Sequence, residues 1–489
     1  MNRRSQATLL PLHESHVPVP RVGPSVPGLG AKVELQPGTN VGPKVLAMKA
    51  VYSLFAVSLA VGSACTASSD EVRPPVDQLF FPTGMALTPD EASLAVTNAN
   101  SELRYDSGTM SMIDLAMVDV VAAAWLSNQT IPDGCKRDPL SPVTLECDEA
   151  RFIRADAGVR IGNFATNVAT QDFGNGAYRF VVPVRGDPSV TWVDGTSQGI
   201  SCSADGVPFA LCDDEHRLTT ILADDTNGVL TEEPFGIYAD ATAGYAVVAH
   251  LSTGALTLLD SNAGASPQIA DVLTGLFAAD GNGLRGATAI AGRTPGNPNG
   301  LIYAVSRSED RVQMLTVGRQ AGAPAPFLLP TGYFFLDAVG GTSGGSTDSR
   351  GLAFSNNGER MYVLNRRPPT VQLYDTSLDE TGVPRNRGLA ATDVCRNASG
   401  LTVANVGDGD RAYVSCFADG TVNVVDPRAG AMVTRSITVG RGPYALVVSA
   451  VHRKLYVSDF LEDTVSVIDL APDSSATERV VLRIGERRL

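Results

Sequence analysis

The feature that most constrains this chain is a strand–turn–strand unit that recurs seven times and in six copies ends on aspartate. Near the C-terminus it reads LYVSDFLEDTVSVID (455–469), preceded by AYVSCFADGTVNVVD (412–426). Upstream copies are MYVLNRRPPTVQLYD (361–375), IYAVSRSEDRVQMLT (302–316), YAVVAHLSTGALTLLD (245–260), YRFVVPVRGDPSVTWVD (178–194) and SLAVTNANSELRYDSGTMSMID (93–114). The aspartates are Asp114, Asp194, Asp260, Asp375, Asp426 and Asp469, with Thr316 in the remaining copy. Alternation such as Thr464-Val465-Ser466-Val467-Ile468 has the period of 2 of a half-buried strand. No comparable segment reads with a helical period. Such units cannot bury an apolar face alone and must stack on one another.

A further strand precedes each unit, and its opening aligns as any residue, small residue, apolar residue. The openings are Thr83-Gly84-Met85, Phe164-Ala165-Thr166, Phe235-Gly236-Ile237, Arg285-Gly286-Ala287, Arg350-Gly351-Leu352, Ser399-Gly400-Leu401 and Tyr444-Ala445-Leu446. Aligned in this way, the middle position is Gly or Ala throughout. The innermost strands of a propeller crowd its axis, where bulk would clash. A fourth strand follows most of the aspartates, as at Arg435–Val439 and Arg479–Arg483. The expected fold is all-β: a single seven-bladed β-propeller of four-stranded antiparallel blades over residues 79–489, monomeric. The last unit carries its own fourth strand, so no N-terminal strand is required to complete it.

The blocks LYVSD…TVSVIDL (455–470) and ITVGRGPYALVVS (437–449) resemble the YVTN-type propeller repeat, a relative of WD-repeat and surface-layer propellers. The resemblance spans about residues 79–485 and is degenerate in the first, second and fourth units. It implies a bacterial exported propeller and leaves the ligand open, since propellers host many functions.

Export is also written at the N-terminus. Met48-Lys49 followed by AVYSLFAVSLAVGSAC has the short basic start, apolar run and small-residue cleavage site of a signal peptide over 48–64. Residues 1–47 are Pro/Gly-rich and aperiodic, read as a mis-annotated or disordered extension. Gly62-Ser63-Ala64-Cys65 resembles a lipobox, with Gly62 where Leu is usual. Of seven cysteines, six fall into the local couples Cys135/Cys147, Cys202/Cys212 and Cys395/Cys416, which leaves Cys65 odd at the lipidation position. Residues 65–78 then form a lipid-anchored tether. Thr66 after the cysteine favours the outer membrane, on either its periplasmic or its surface face. A net charge of −14 argues against nucleic acid as a partner.

The couple Cys395/Cys416 fits antiparallel pairing of a first and second strand. Cys135/Cys147 is expected to staple an insert of about 124–160 on the upper face, and Cys202/Cys212 one of about 195–216 on the lower face. The upper face is defined by the hairpins joining second and third strands. There the first-column residues Thr83, Phe164, Phe235, Arg285, Arg350, Ser399 and Tyr444 should crown the channel mouth, with Arg307, Arg366 and Arg367 on neighbouring hairpins. Arginine grips carboxylate and phosphate through a planar fork. The candidate ligand-binding set is therefore Arg285, Arg350, Arg307, Arg366, Phe164, Phe235 and Tyr444. Ion pairing to Glu309, Asp310, Asp348 and Glu359 is the competing account. GGTSGGSTDS (340–349) enters the same region as a cover or a plain loop.

The recurrent aspartates read as turn caps rather than catalytic acids. His216, His250 and His452 fall in different units without ligand spacing, and His250 reads as an exposed hairpin residue. Asp408-Gly409-Asp410 and Asp280-Gly281-Asn282-Gly283 lack a full calcium-loop spacing. No catalytic residue, metal or cofactor is assigned. The favoured function is a cell-envelope binding or scaffold module for a protein or an anionic small ligand. The alternative is a propeller enzyme of lactonase-like hydrolase type.

Overall fold

The computed structural model describes residues 72–487, other than 204–208, 220–228, 241, 280–282, 284, 294–299, 320–324, 337–346, 406 and 408. The extension, the signal peptide, Cys65 and the tether up to residue 71, the glycine-rich stretch up to residue 346, Asp280–Asn282 and Asp408 lie outside the described residues.

Seven antiparallel sheets follow one another along the chain, and the protein is a seven-bladed β-propeller. Blade 1 spans 82–161, blade 2 169–219, blade 3 234–273 and blade 4 287–335. Blades 5, 6 and 7 span 349–393, 398–438 and 443–484. Blade 7 shows why the sequence folds this way. Its second strand, Lys454–Asp459, and third, Thr464–Asp469, are buried at every position, because each blade is packed between two others and both of its faces are interior. The alternation therefore encodes two buried faces rather than one. Tyr303, Tyr362, Tyr413 and Tyr456 occupy the same position of the second strand in blades 4–7, each fully buried between blades.

The terminal aspartates act mainly as caps. Asp375 and Asp426 accept from the backbone N–H two residues on, at 2.9 and 2.8 Å; the Ser377 hydroxyl and the Arg428 guanidinium, with these N–H groups, hold the two carboxyls below the usual range. Asp469 does the same at 3.3 Å. Asp194 instead pairs with buried Arg179 at 2.7 Å.

Two features depart from the sequence expectation. The segment after Asp114 is a helix, Leu115–Asn128, whose N-terminus Asp114 caps by accepting from the Met117 N–H at 3.1 Å. Its buried residues Leu115, Val118, Ala122 and Trp125 do follow a helical period, masked in the sequence by valine and the neighbouring strands. The insert therefore begins at residue 115 rather than 124, and it lies before the fourth strand of blade 1, Val159–Ile161. It leaves the blade from the lower face, not the upper.

The second departure concerns how the ring closes. Leu145–Cys147 of this insert runs parallel to the outer strand of blade 7, Arg479–Ile484, and Cys135–Arg137 pairs outside it, making a six-stranded sheet. Blade 7 does keep its own fourth strand, but blade 1 reaches across to cover it. The seam is rich in charge. Arg483 lies 3.5 Å from both Asp138 and Glu462, and Arg487 lies 3.3 and 3.4 Å from the same two carboxylates. Asp463 accepts from the Phe81 N–H at 2.6 Å, and His452 Nδ1 meets Asp119 of the helix at 2.6 Å.

The six described cysteines are paired as expected, with Cα separations of 4.0 Å for Cys135–Cys147, 4.8 Å for Cys202–Cys212 and 5.6 Å for Cys395–Cys416. Such bonds belong to an oxidising compartment. The second insert runs back onto the preceding blade too: Arg160 of blade 1 donates to Ala210 O at 2.8 Å and accepts from Cys212 N–H at 2.9 Å. No helix among the described residues is long and apolar enough to cross a membrane.

Candidate functional site

Each inner strand opens with a β-bulge, and the bulged residue marks the true first column. Pairing on either side of the irregularity assigns Thr83, Phe235, Arg350, Ser399 and Tyr444 to it, as the sequence implied. In blade 4 the bulged residue is Thr288, and in blade 2 it is Thr166. Arg285 and Phe164 are thus displaced from the column by three and two residues. The following column becomes Gly84, Asn167, Gly236, Ala289, Gly351, Gly400 and Ala445, small in six blades rather than seven. Crowding does explain it. A Cβ at Gly84 would lie 2.5 Å from Asn167 C, and one at Gly236 2.6 Å from Thr288 O.

The first column latches blade to blade. Thr83 donates to Ala165 O at 2.8 Å and Thr166 to Phe235 O at 2.8 Å. Thr288 donates to Ser349 O at 2.7 Å and Ser399 to Pro443 O at 2.7 Å. Between blades 5 and 6 the donor is Arg366 Nε, 3.2 Å from Ala398 O. Ser458 closes the ring by donating to Thr83 O at 3.0 Å. Arg350, Phe235 and Tyr444 stand at column positions without such a hydroxyl latch, which leaves their side chains for the mouth.

A second ring of side chains follows the ends of the second strands: Ala99, Arg185, Leu251, Arg307, Arg366, Phe417 and Phe460. The backbone N–H groups of Arg185, Arg307 and Arg366 donate to Phe164, Gly286 and Asp348 O at 3.1, 2.9 and 2.7 Å. Arg185, Phe417 and Phe460 were missed in the sequence. Their signal is position alone, one residue beyond the end of each second strand.

Together these rings make a divided mouth. Arg185, Arg307, Arg350 and Arg366 come from blades 2, 4 and 5. Tyr444 and Phe460 of blade 7 have ring centroids 6.3 Å apart, Phe417 lies 6.1 Å from Phe460, and Phe81 of blade 1 lies 5.4 Å from it. Beneath is an axial cavity of about 220 Å3 lined by all seven inner strands, with Phe235, Arg350, Ser399 and Tyr444 around its rim. Burial raises the Tyr444 phenol, a shift that the Arg350, Arg185 and Arg366 charges partly offset, so the hydroxyl is neutral and feels guanidiniums from opposite sides of the ring. Burial, with Arg350 and Arg307 nearby, lowers the Arg366 guanidinium against the opposing pull of Asp348 and Tyr444.

The ion-pairing account holds for part of the set. Arg350 is gripped by Asp348 at 2.7 Å, and Arg185 by Glu233 at 2.5 Å. Exposed Arg367 lies 3.8 Å from Asp348, and Glu309 pairs with Arg311 rather than with a mouth arginine. Among the described residues no carboxylate lies within ion-pair distance of Arg307 or Arg366, and the buried Arg307 Nε has no hydrogen-bond partner. Of the remaining candidates, Arg285 is exposed and contributes its carbonyl to Ser308 Oγ, and Phe164 packs over Gly186.

The histidines are structural. His250 is wholly buried, not exposed; its ring nitrogens lie 3.0 Å from Glu232 O and 2.8 Å from Thr257 Oγ1, and burial pushes it down to about 4. Among the described residues no group of three His, Cys, Asp or Glu side chains is arranged to hold a metal.

Fold and mouth thus define a disulfide-stapled seven-bladed propeller with a cationic and aromatic axial opening. Solved structures share that architecture. Hydrazine synthase from Kuenenia stuttgartiensis is similar over 81% of this chain and 97% of that one, at 11% identity and a TM-score of 0.51. A protein from Lactobacillus plantarum is similar over 78% and 92%, at 13% identity and a TM-score of 0.51. A periplasmic gluconolactonase from Pseudomonas aeruginosa reaches 0.48 at 13% identity, over 74% and 86%. At identities this low, the two at 0.51 bear on the fold alone. No protein-family model matches the chain, and no curated protein matches it.

Proposed function

We propose that this chain is an exported cell-envelope binding propeller of YVTN-type repeats, anchored through Cys65, whose upper mouth receives an anionic small ligand. One observation carries the reading: Arg350 and Tyr444 rim the axial cavity, and Arg185, Arg307 and Arg366 stand at the second-strand ends around the same mouth, where the Arg350, Arg185 and Arg366 charges act on the Tyr444 phenol. Small-ligand sites are concave, with a few converging polar groups over an apolar lining. The apolar floor of the mouth includes Met85, Ile237, Ile290, Leu352, Leu401 and Leu446. The hydrolase alternative needs a free acid or base at the mouth. Its carboxylates Asp348 and Glu233 are already engaged by Arg350 and Arg185, which supports binding over catalysis.

The test is calorimetric titration of the mature protein with small carboxylates and phosphates, alongside Arg350→Ala and Arg366→Ala. Saturable binding in the wild type, weakened about tenfold or more in each variant, is expected. Absence of saturable binding to every anion tried overturns the reading. Mass spectrometry of the mature N-terminus checks the anchor separately: a diacylglyceryl-modified Cys65 is expected, and an unmodified terminus would discard it.

A further inference from the structure

Charge at the mouth does not balance, and the imbalance specifies a ligand. Resting on the reading of the mouth as an anion site, we infer that its ligand presents a dianionic oxyanion head, a phosphate monoester or paired carboxylates, held between Arg307 and Arg366 with the Tyr444 hydroxyl donating.

Arg185 and Arg350 each have a carboxylate of their own, Glu233 at 2.5 Å and Asp348 at 2.7 Å. Arg307 and Arg366, on adjacent blades, have none within ion-pair distance among the described residues; Asp348, which pulls on Arg366 from farther off, is already gripped by Arg350. Leaving charge half-buried and unpaired is costly unless a counter-charge arrives. A monoanion would neutralise one of the two; a dianion neutralises both.

Donor geometry points the same way. Arg366 spends its Nε on Ala398 O at 3.2 Å, which fixes the side chain and leaves its terminal nitrogens for another acceptor. Arg307 is held by its stem. Its aliphatic carbons lie flat over Gly286, where an added Cβ would come within 2.3 Å of Arg307 Cγ. Gly286 also has a φ of +54°, which disfavours any side chain there. The buried Nε of Arg307 has no partner. Tyr444, kept neutral, can donate to an anion without repelling it. The aromatic half of the mouth, Phe417, Phe460 and Tyr444, is placed to cover an uncharged body attached to that head.

The experiment compares sulfate and inorganic phosphate with acetate and nitrate by titration of the full-length mature protein at constant ionic strength. Dianions are expected to bind about tenfold tighter or more than monoanions. Phosphate affinity should rise between about pH 6 and pH 8 as the second proton leaves, while sulfate affinity stays flat. Arg307→Gln and Arg366→Gln should each bring dianion affinity toward the monoanion value. Gly286→Ala should do so without removing a charge, and unchanged thermal melting shows that the variants fold. Equal affinity for both classes, or a phosphate affinity flat with pH, overturns the dianion assignment and leaves the anion site standing. No binding of either class overturns both.

Discussion

At the scale of single residues, the axis of the ring is built from two demands that meet in consecutive positions. In four blades the bulged residue reaches to the next blade, and in six the residue after it is small enough for that blade's backbone to approach. Gly236→Ala puts a Cβ 2.6 Å from Thr288 O and is expected to cost about 1–3 kcal/mol through overpacking, read as a lower Tm. Thr83→Val removes one latch, to Ala165 O, and is expected to cost about 1 kcal/mol. A variant that melts with the wild type would lose its residue that role at the axis. This column was nearly legible in the sequence. It was misread in blades 2 and 4, because Phe164-Ala165 and Arg285-Gly286 mimic it just upstream. Both sites have a left-handed residue, Phe164 at φ 60° just before Ala165, which bridges Val184, and Gly286 at φ 54° just before the strand. The same turn recurs at Phe81, Glu233, Asn397 and Gly442. A left-handed turn leaves no dependable mark in a sequence when Phe or Glu occupies it.

At the scale of elements, blade 7 and its seam with blade 1 hold two groups whose titration is coupled to folding. His452 sits between Asp119 and Glu91 O, and those partners raise its pKa despite burial. With a raised folded-state value, its contribution is fully present below about pH 6.5 and is lost as pH rises through the folded value. His452→Gln should therefore lower Tm at pH 5.5 more than at pH 8.5; an equal drop at both would remove the charge from the explanation. Asp459 is wholly buried and pushed up to about 7, mainly by burial and further by Glu462, against hydrogen bonds from Ser466, Thr464 and the Gly440 N–H. An acid raised in the fold likewise stabilises below its unfolded value and loses that contribution as pH climbs to about 7. Asp459→Asn is expected to raise Tm at pH 8.5 relative to wild type and to leave it nearly unchanged near pH 4. The insert was legible from its cysteine couple, but not its helix, its start at residue 115 or the sheet it closes: the partners Leu145 and Leu482 are distant in sequence, and only folding brings them together.

At the scale of the whole molecule, strand count, blade number and disulfide pairing could all be read from the repeats and the cysteine spacing. The mouth could be read only in part. Arg307, Arg350, Arg366 and Tyr444 stood out by position, while Arg185, Phe417 and Phe460 acquire meaning only once the ring is closed. Breaking the Cys135–Cys147 staple with paired serines is expected to cost about 3 kcal/mol by chain entropy. It should also speed hydrogen exchange in Arg479–Ile484, the strand that the insert covers. Protection of that strand equal to wild type would show that the ring closes without the staple.

The strand Leu145–Cys147 also sets an order of events during synthesis. It emerges early and pairs with Leu482–Ile484, nearly the last residues the structure describes. Until those appear, its unpaired edge and the helix that carries it have no blade 7 to rest on. Contacts so far apart in sequence are slow to form and expose edges meanwhile. The insert must wait for almost the whole ring to be made, so this propeller cannot lock as its blades appear one by one. Its final joint is a strand from the first blade, laid over the last.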